Sequence, residues 1–143
     1  MSDVEQSFSG CTCVFWRGHG LLLKGASGSG KSDLALRIIH EGGKLVADDV
    51  VPLFARDGRL IAAHSRSPGL IELRGQGIFQ LPWHPEAEIT IVVHLLEADR
   101  QERLPEPCIA AMLGIEVPCH VIDGRAPSAV ARLAALLDHP RVA

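Results

Sequence analysis

The chain has 143 residues and lacks any apolar run near the roughly 18 residues of a membrane-spanning helix. Its first segment, Met1 to Gly10, contains two acidic residues and no basic cluster. Neither a membrane partner nor a secretory signal is therefore expected, and we expect a cytoplasmic protein. Positive charge is not in excess either, since the formal net charge is −3. Nucleic acid is accordingly not an expected partner.

The spacings of a structural metal site are also missing. The four cysteines, Cys11, Cys13, Cys108 and Cys119, form no C-x-x-C pair, and the histidines show no H-x-x-x-H spacing. Buried free thiols are the expected state of these cysteines. The dipeptide Cys119-His120 leaves a zinc half-site as the weaker alternative.

Length and composition favour one globular domain over residues 1–143. Hydrophobic residues make up 47% of the chain and charged residues 22%, which is typical of a globular protein with a substantial core. We expect residues 1–10, which are mostly polar, to be a flexible N-terminus.

A glycine-rich segment follows an apolar run, Leu21 to Lys24, that has the length of a strand. It reads Gly25-Ala26-Ser27-Gly28-Ser29-Gly30-Lys31-Ser32 and fits the phosphate-loop pattern G-x-x-x-x-G-K-[ST] at every fixed position. Apolar residues recur at helical spacing after it. A loop between strand and helix can turn its backbone N–H groups toward phosphate oxygens. The alternative is a flexible Gly/Ser turn.

The pattern assigns the last two residues of the loop to the phosphates and the metal. Lys31 is expected to reach the β- and γ-phosphates of a nucleotide, and Ser32 to offer its hydroxyl to the bridging Mg²⁺. Gly25 to Ser32 as a whole forms the predicted nucleotide site.

The surrounding elements predict a mixed α/β sheet. Strands are expected at Cys11–Trp16 and Leu21–Lys24, forming a β-hairpin before the loop, and a helix over Lys31–Glu41. Further strands are expected at Lys44–Ala47 and Ile89–Leu96. A second hairpin is expected from Val50–Phe54 and Leu60–Ala63, and a last helix from Ala126 to Leu137. Residues 108–122 are ambiguous between helix and strand over their first part.

Two acidic residues, Asp48 and Asp49, end the strand after the first helix. Ligands bind at the carboxyl ends of strands in open α/β sheets, so both carboxylates are expected beside the phosphates. An acidic surface turn is the alternative.

Charged residues also interrupt the apolar, glycine-punctuated stretch Leu70–Ile78. Half-buried charges need partners, so Glu72 is predicted to bind Mg²⁺ and Arg74 to bind phosphate. An ion pair between Glu72 and Arg74 is the alternative. The charged loop Glu97–Pro107 carries two more candidates, Arg100 and Arg103.

From about Cys11 onward, the sequence resembles the catalytic domain of HPr kinase/phosphorylase. The resemblance rests on the glycine-rich loop, on Leu45-Val46-Ala47-Asp48-Asp49 and on Glu72-Leu73-Arg74-Gly75-Gln76-Gly77-Ile78. It implies a fold related to phosphoenolpyruvate carboxykinase, in a short form that has the catalytic domain alone. It further implies an ATP- and Mg²⁺-dependent kinase that phosphorylates a serine of an HPr-like phosphocarrier protein of a bacterial phosphotransferase system.

The same resemblance implies a role for each matching residue. Lys31 contacts the transferring phosphoryl group, Ser32 and Glu72 hold Mg²⁺, and Asp49 takes the proton from the serine. Asp48 supports the metal or the base. Arg103 matches the family's active-site arginine, with Arg100 as the alternative.

Two departures from the family concern its reverse activity, in which inorganic phosphate removes the phosphoryl group. Gly10 stands where the family has a histidine, and His120-Val121-Ile122-Asp123-Gly124-Arg125 replaces Pro-Val-Arg-Pro-Gly-Arg. Phosphorylase activity is therefore expected to be weak or absent. The resemblance also implies a homo-oligomer, a hexamer in the family. A small-molecule kinase and a regulatory nucleotide-binding module without turnover are the alternatives.

Overall fold

A computed structural model describes residues 4–103 and 107–142. In chain order its elements are β1 (Val4–Trp16), β2 (His19–Lys24), α1 (Lys31–His40), β3 (Lys44–Arg56), β4 (Arg59–Ala63), β5 (Leu70–Leu73), β6 (Gly77–Gln80), β7 (Glu86–Leu95), β8 (Cys108–Met112), β9 (Ile115–Ile122) and α2 (Ala129–Asp138). A short 3₁₀ helix, Ala98–Arg100, follows β7. No helix in the described parts of the chain is both long and apolar enough to cross a membrane.

The main sheet is mixed, as the sequence predicts. Strand β7 pairs in parallel with β2 and β9, while the remaining pairings of this sheet are antiparallel. The pairings β2–β1, β1–β3, β3–β4, β4–β7 and β7–β2 close a ring of five strands, and β9 and β8 extend from β7. The parallel strands β2, β7 and β9 have their carboxyl ends at one edge, where the glycine-rich loop begins.

Two apolar clusters pack on the two faces of the strands. The first cluster joins α1 and α2 to the sheet through residues such as Leu23, Leu34, Val93 and Leu133. The second cluster consists mainly of side chains from the five strands of the ring, including Cys13, Leu22, Leu53 and Val92. Successive side chains of a strand lie on opposite faces, and β1, β2, β3 and β7 each contribute to both clusters.

Helix α1 confirms the prediction of a helix after the loop. Leu34, Ala35, Ile38 and Ile39 are buried and recur on one face. The helix ends before two glycines. A Cβ at Gly43 would lie 2.8 Å from Ile38 Cγ2, so only glycine fits where the chain turns back toward β3.

Three boundaries differ from the sequence prediction. Strand β1 begins at Val4 rather than at Cys11, and residues 4–9 pair with β3. Residues 1–3 lie outside the described part. The predicted strands Lys44–Ala47 and Val50–Phe54 are one strand, β3, which runs through both aspartates. The ambiguous region after residue 107 is an antiparallel hairpin, β8 and β9.

The expectation of four buried thiols is wrong for two cysteines. Cys11 and Cys13 are buried and free, whereas Cys108 is exposed and forms a disulfide with Cys119. These two residues oppose each other in the β8–β9 ladder, with 5.0 Å between their Cα atoms. Cross-strand register creates this proximity, which the spacing of cysteines along the sequence does not indicate.

Candidate functional site

The glycine-rich loop joins the carboxyl end of β2 to the first turn of α1. Gly28 and Gly30 have φ angles of 81° and 97°, a region that favours glycine. Gly30 is the N-cap of α1 and no side chain caps the helix. The first N–H groups of α1 are therefore available to an anion, at the end of the helix where the dipole favours negative charge.

Two side chains of this loop have the chemistry of a phosphate site. Lys31 Nζ donates to the carbonyls of Gly25 and Ala26, at 2.7 and 3.1 Å, which holds the ammonium group against the loop. Ser29 Oγ is buried and has no hydrogen-bond partner among the described residues. A buried hydroxyl without a partner is unfavourable, and an anion oxygen in the loop would satisfy it. These donors fit a nucleotide phosphate.

Asp48 lies beside the start of α1. Its Oδ1 accepts hydrogen bonds from Thr12 Oγ1 at 2.8 Å and from Ser32 Oγ at 3.3 Å. Burial raises the pKa of the Asp48 carboxyl above its ordinary value, and the two hydroxyl donors partly oppose that rise. A hydroxyl and a carboxylate oxygen side by side at the loop are ligands that Mg²⁺ prefers.

Asp49 has a different environment from Asp48. It is exposed, has a φ of 68° and pairs across the ladder with Cys11, a member of the second cluster. A positive φ is strained for most residues but is tolerated by aspartate, and such conformations concentrate at functional sites. Asp48 thus lies on the face of β3 that carries α1, and Asp49 lies on the opposite face.

Glu72 and Arg74 are both exposed. Glu72 lies on β5, opposite Ile78, in a two-stranded sheet with β6, and Arg74 lies in the turn between those strands. No ion pair joins Glu72 to Arg74 in the described structure. Within the described residues no group of three acidic, histidine or cysteine side chains could hold a metal ion. The structure therefore shows Ser32 and Asp48 in direct contact beside the glycine-rich loop.

The two candidate arginines after β7 are both exposed. Arg100 ends the 3₁₀ helix, and Arg103 is the last described residue before a gap at residues 104–106. The loop from Glu97 to Pro107 is thus only partly described.

A segment that sequence reasoning did not place at the loop, residues 123–126, contacts it directly. Arg125 Nη2 donates to the carbonyl of Gly28. The Asp123 carboxylate accepts from the backbone N–H groups of Arg125, at 3.0 Å, and of Ala98, at 3.2 Å. Gly124 is buried, and a Cβ there would lie 2.9 Å from Leu95 Cδ1. In the sequence, the one indication of this contact was that Gly124-Arg125 matches the last two residues of the family segment Pro-Val-Arg-Pro-Gly-Arg.

Arg37 of α1 holds the same segment from the other side. Its guanidinium donates to the carbonyls of Gly124 and Ala126, the latter at 3.2 Å, and its Nε lies 3.3 Å from Asp33 Oδ2. Charge-assisted bonds to carbonyls are stronger than neutral ones. Helix α1, the segment 123–126 and the glycine-rich loop therefore form one connected unit.

Known proteins are similar to this chain in sequence and in fold. The family model described as HPr Serine kinase C-terminal domain matches residues 4–136. An HPr kinase/phosphorylase of Chlorobium phaeobacteroides is 36% identical over 115 residues, which cover 71% of this chain and 36% of the relative. Another, of Clostridium tetani, is 44% identical over 66 residues, which cover 46% of this chain and 22% of the relative. The chain thus spans about a third or less of the length of these relatives.

The solved structure of the Hpr(Ser) kinase/phosphatase from Coxiella burnetii superimposes with a TM-score of 0.82. It is 24% identical, and the match covers 92% of this chain and 93% of that chain. At this identity the likeness shows that the two chains share a fold.

Proposed function

The chain belongs to the family of HPr serine kinase C-terminal domains, and from that membership we propose that it is an ATP- and Mg²⁺-dependent kinase acting on a serine of an HPr-like phosphocarrier protein. The observation that carries the proposal is the Ser32–Asp48 contact beside a glycine-rich loop with free helix N–H groups. Phosphoryl transfer depends mainly on positioning the phosphates and neutralising their charge, and these groups provide both.

The loop from Gly25 to Ser32 is the proposed phosphate-binding loop. Its backbone N–H groups and the Ser29 hydroxyl would donate to phosphate oxygens. Lys31 would leave the carbonyls of Gly25 and Ala26 and transfer its hydrogen bonds to the β- and γ-phosphates. The exchange costs little, because one set of charge-assisted hydrogen bonds replaces another.

Ser32 and Asp48 would hold Mg²⁺, with Glu72 as the third proposed ligand. When bound, the metal supplies positive charge that offsets the charge of the phosphates. Thr12 orients the Asp48 carboxylate from the other side at 2.8 Å. Glu72 is exposed on β5, and Arg74, the proposed phosphate contact, follows it in the turn.

Asp49 is the proposed base for the acceptor serine. It is exposed, which lets a protein substrate reach it, and it follows Asp48 directly in β3. A carboxylate within hydrogen-bond reach of the hydroxyl is sufficient to accept its proton. Arg103, or alternatively Arg100, would add positive charge from the loop after β7.

We further propose that phosphorylase activity is weak. Attack by inorganic phosphate needs groups that hold this anion against a phosphoserine. Gly10 and Ile122 offer no such group where the family has histidine and arginine. The Asp123 carboxylate adds less repulsion than its charge implies, because two backbone N–H groups already donate to it. Kinase activity should exceed phosphorylase activity at least about a hundredfold, equivalent to roughly 2.7 kcal/mol of transition-state stabilisation.

The test is incubation with labelled ATP, Mg²⁺ and the HPr paralogue from the same genome. We expect label on one serine, and its absence would overturn the kinase proposal. A second incubation uses the phosphorylated carrier and inorganic phosphate. Pyrophosphate release at a rate comparable to forward transfer would show the directional proposal to be wrong.

One alternative has an observation in its favour. Gly10 in place of a histidine, together with the exposed Glu72 and Arg74, is compatible with a regulatory module that binds nucleotide without turnover. Nucleotide binding in the complete absence of transfer would favour that reading. Turnover of nucleosides or sugars would instead indicate a small-molecule kinase. A cytoplasmic location is proposed from the sequence of the N-terminal segment and a hexamer from the family resemblance. Light scattering after size exclusion tests the hexamer.

A further inference from the structure

A row of four residues crosses the sheet at the edge where the glycine-rich loop begins. Asp49 of β3 pairs with Cys11 of β1, Cys11 pairs with Lys24 of β2, and Lys24 pairs with His94 of β7. Directly paired residues share a face of the sheet. Since Leu22 lies two residues before Lys24 in the second cluster, this is the face opposite α1.

The two basic members of the row, Lys24 and His94, have no hydrogen-bond or ion-pair partner in the part of the chain that the structure describes. Lys24 and His94 are half-buried, and neither makes an ion pair or a side-chain hydrogen bond within the described residues. Because no neighbouring side chain among the described residues engages them, both residues can direct their N–H groups toward a ligand. Lys24 offers three donors and a neutral imidazole one, on adjacent strands.

The electrostatic environment agrees with this placement. Burial raises the pKa of the Cys11 thiol, but Lys24 and Lys31 both act against that rise, so both ammonium groups lie near Cys11. Burial lowers the pKa of His94, and the nearby positive charge of Lys24 lowers it further. The Lys24 ammonium group therefore influences both of its neighbours in the row, Cys11 and His94.

From this placement we propose that Lys24 and His94 form an oxyanion subsite, separate from the glycine-rich loop, that takes a phosphate-class anion. The anion is either inorganic phosphate or the phosphate ester of a phosphorylated acceptor. The nucleotide phosphates of the proposed function would lie on the α1 side, at Lys31 and Ser32, so the two sites can be filled together. The subsite depends on that function only for the choice of a nucleotide to fill the loop.

The subsite is also distant from Asp49, the proposed base for phosphoryl transfer. Neighbouring strands are about 4.8 Å apart, so Lys24, two strands from Asp49, lies on the order of 10 Å from it along the row. An anion between Lys24 and His94 is thus beside the proposed acceptor position rather than at it. Inorganic phosphate held there would bind without attacking a phosphoserine.

The test is calorimetric titration of the full chain with inorganic phosphate, with the loop filled by a non-hydrolysable ATP analogue and Mg²⁺. We expect one phosphate per chain under these conditions. Lys24→Met should weaken phosphate binding about tenfold or more, as loss of a charge-assisted hydrogen bond implies. Lys44→Met is the matched control, because Lys44 is exposed at the first residue of β3, outside the row, and its loss should not change the affinity.

Further titrations identify which anion the subsite binds and control for a variant that does not fold. O-phosphoserine replaces inorganic phosphate in a parallel titration, and the tighter ligand identifies the source. His94→Gln should weaken binding as well, which keeps the test valid if Lys24→Met does not fold. Binding of neither anion to the filled protein, or equal affinities in Lys24→Met and Lys44→Met, would overturn the subsite. Failure of the analogue itself to bind would count against the proposed function, and the lysine comparison would then be made without nucleotide.

Discussion

Replacing Arg37 tests how much the attachment of the segment 123–126 to helix α1 contributes to the stability of the protein. Its side chain is 31% exposed, and its guanidinium donates to two backbone carbonyls, those of Gly124 and Ala126. Hydrogen bonds from a charged group contribute about 1.5–3 kcal/mol each when buried. Because Arg37 is partly solvated, we expect Arg37→Met to lower the free energy of unfolding by about 2–3 kcal/mol in total.

Urea denaturation measures this change, with the slope of the unfolding free energy against urea expected to stay constant. Asp33→Asn is the matched control. It removes the ion pair to Arg37 but leaves both carbonyl contacts, and Asp33 is 71% exposed, so its loss should cost no more than about 0.5 kcal/mol. Nucleotide affinity should fall about three- to tenfold in Arg37→Met alone, since the segment then holds Arg125 less firmly against Gly28.

Two results would refute this assignment. Arg37→Met could prove as stable as the unmodified protein, in which case the carbonyl contacts contribute nothing. Alternatively, Asp33→Asn could cost as much as Arg37→Met, and the ion pair would then be the stabilising contact.

Three further perturbations test other parts of the structure. Gly124→Ala places a Cβ 2.9 Å from Leu95 and should destabilise the protein by about 1–3 kcal/mol in the same urea assay. Asp48→Asn should be more stable than the unmodified protein at neutral pH, because the raised folded-state pKa of Asp48 means that its ionisation opposes folding. That advantage should disappear as the pH falls through the raised pKa, and denaturation across pH would show it. Reducing the Cys108–Cys119 disulfide, 11 residues apart, should cost about 2–3 kcal/mol, and Cys108→Ser should abolish the response to reductant.

Local patterns were sufficient to predict the elements that depend on neighbouring residues. The apolar spacing of Leu34, Ala35, Ile38 and Ile39 predicts α1, and glycines after it predict its end. Asp48 was expected beside the glycine-rich loop because a strand was predicted to end there; β3 continues through it, and Ser32 donates to its carboxylate.

Contacts between distant segments could not be predicted in the same way. Arg37 and Gly124 are 87 positions apart, and an arginine on a helix gives no indication of which carbonyl it will meet. The disulfide depends on the register of β8 against β9, and the row from Asp49 to His94 depends on four strands pairing in register. The first part of β1, residues 4–9, is mostly exposed and polar, so it lacks the apolar alternation that predicts a strand. It is a strand because it pairs with β3, which is distant in the sequence.

The most direct measurement of the proposed chemistry compares Asp49→Asn with the unmodified protein, using intact-mass spectrometry of the HPr-like carrier and nucleotide titration in parallel. The unmodified protein should add one phosphoryl group to one serine of the carrier. Asp49→Asn should bind MgATP with unchanged affinity but transfer at a rate lower by about 10²–10⁴-fold, the contribution of a general base. Transfer by Asp49→Asn at the unmodified rate would contradict the assignment of Asp49 as the base, and absence of transfer by the unmodified protein would contradict the kinase itself.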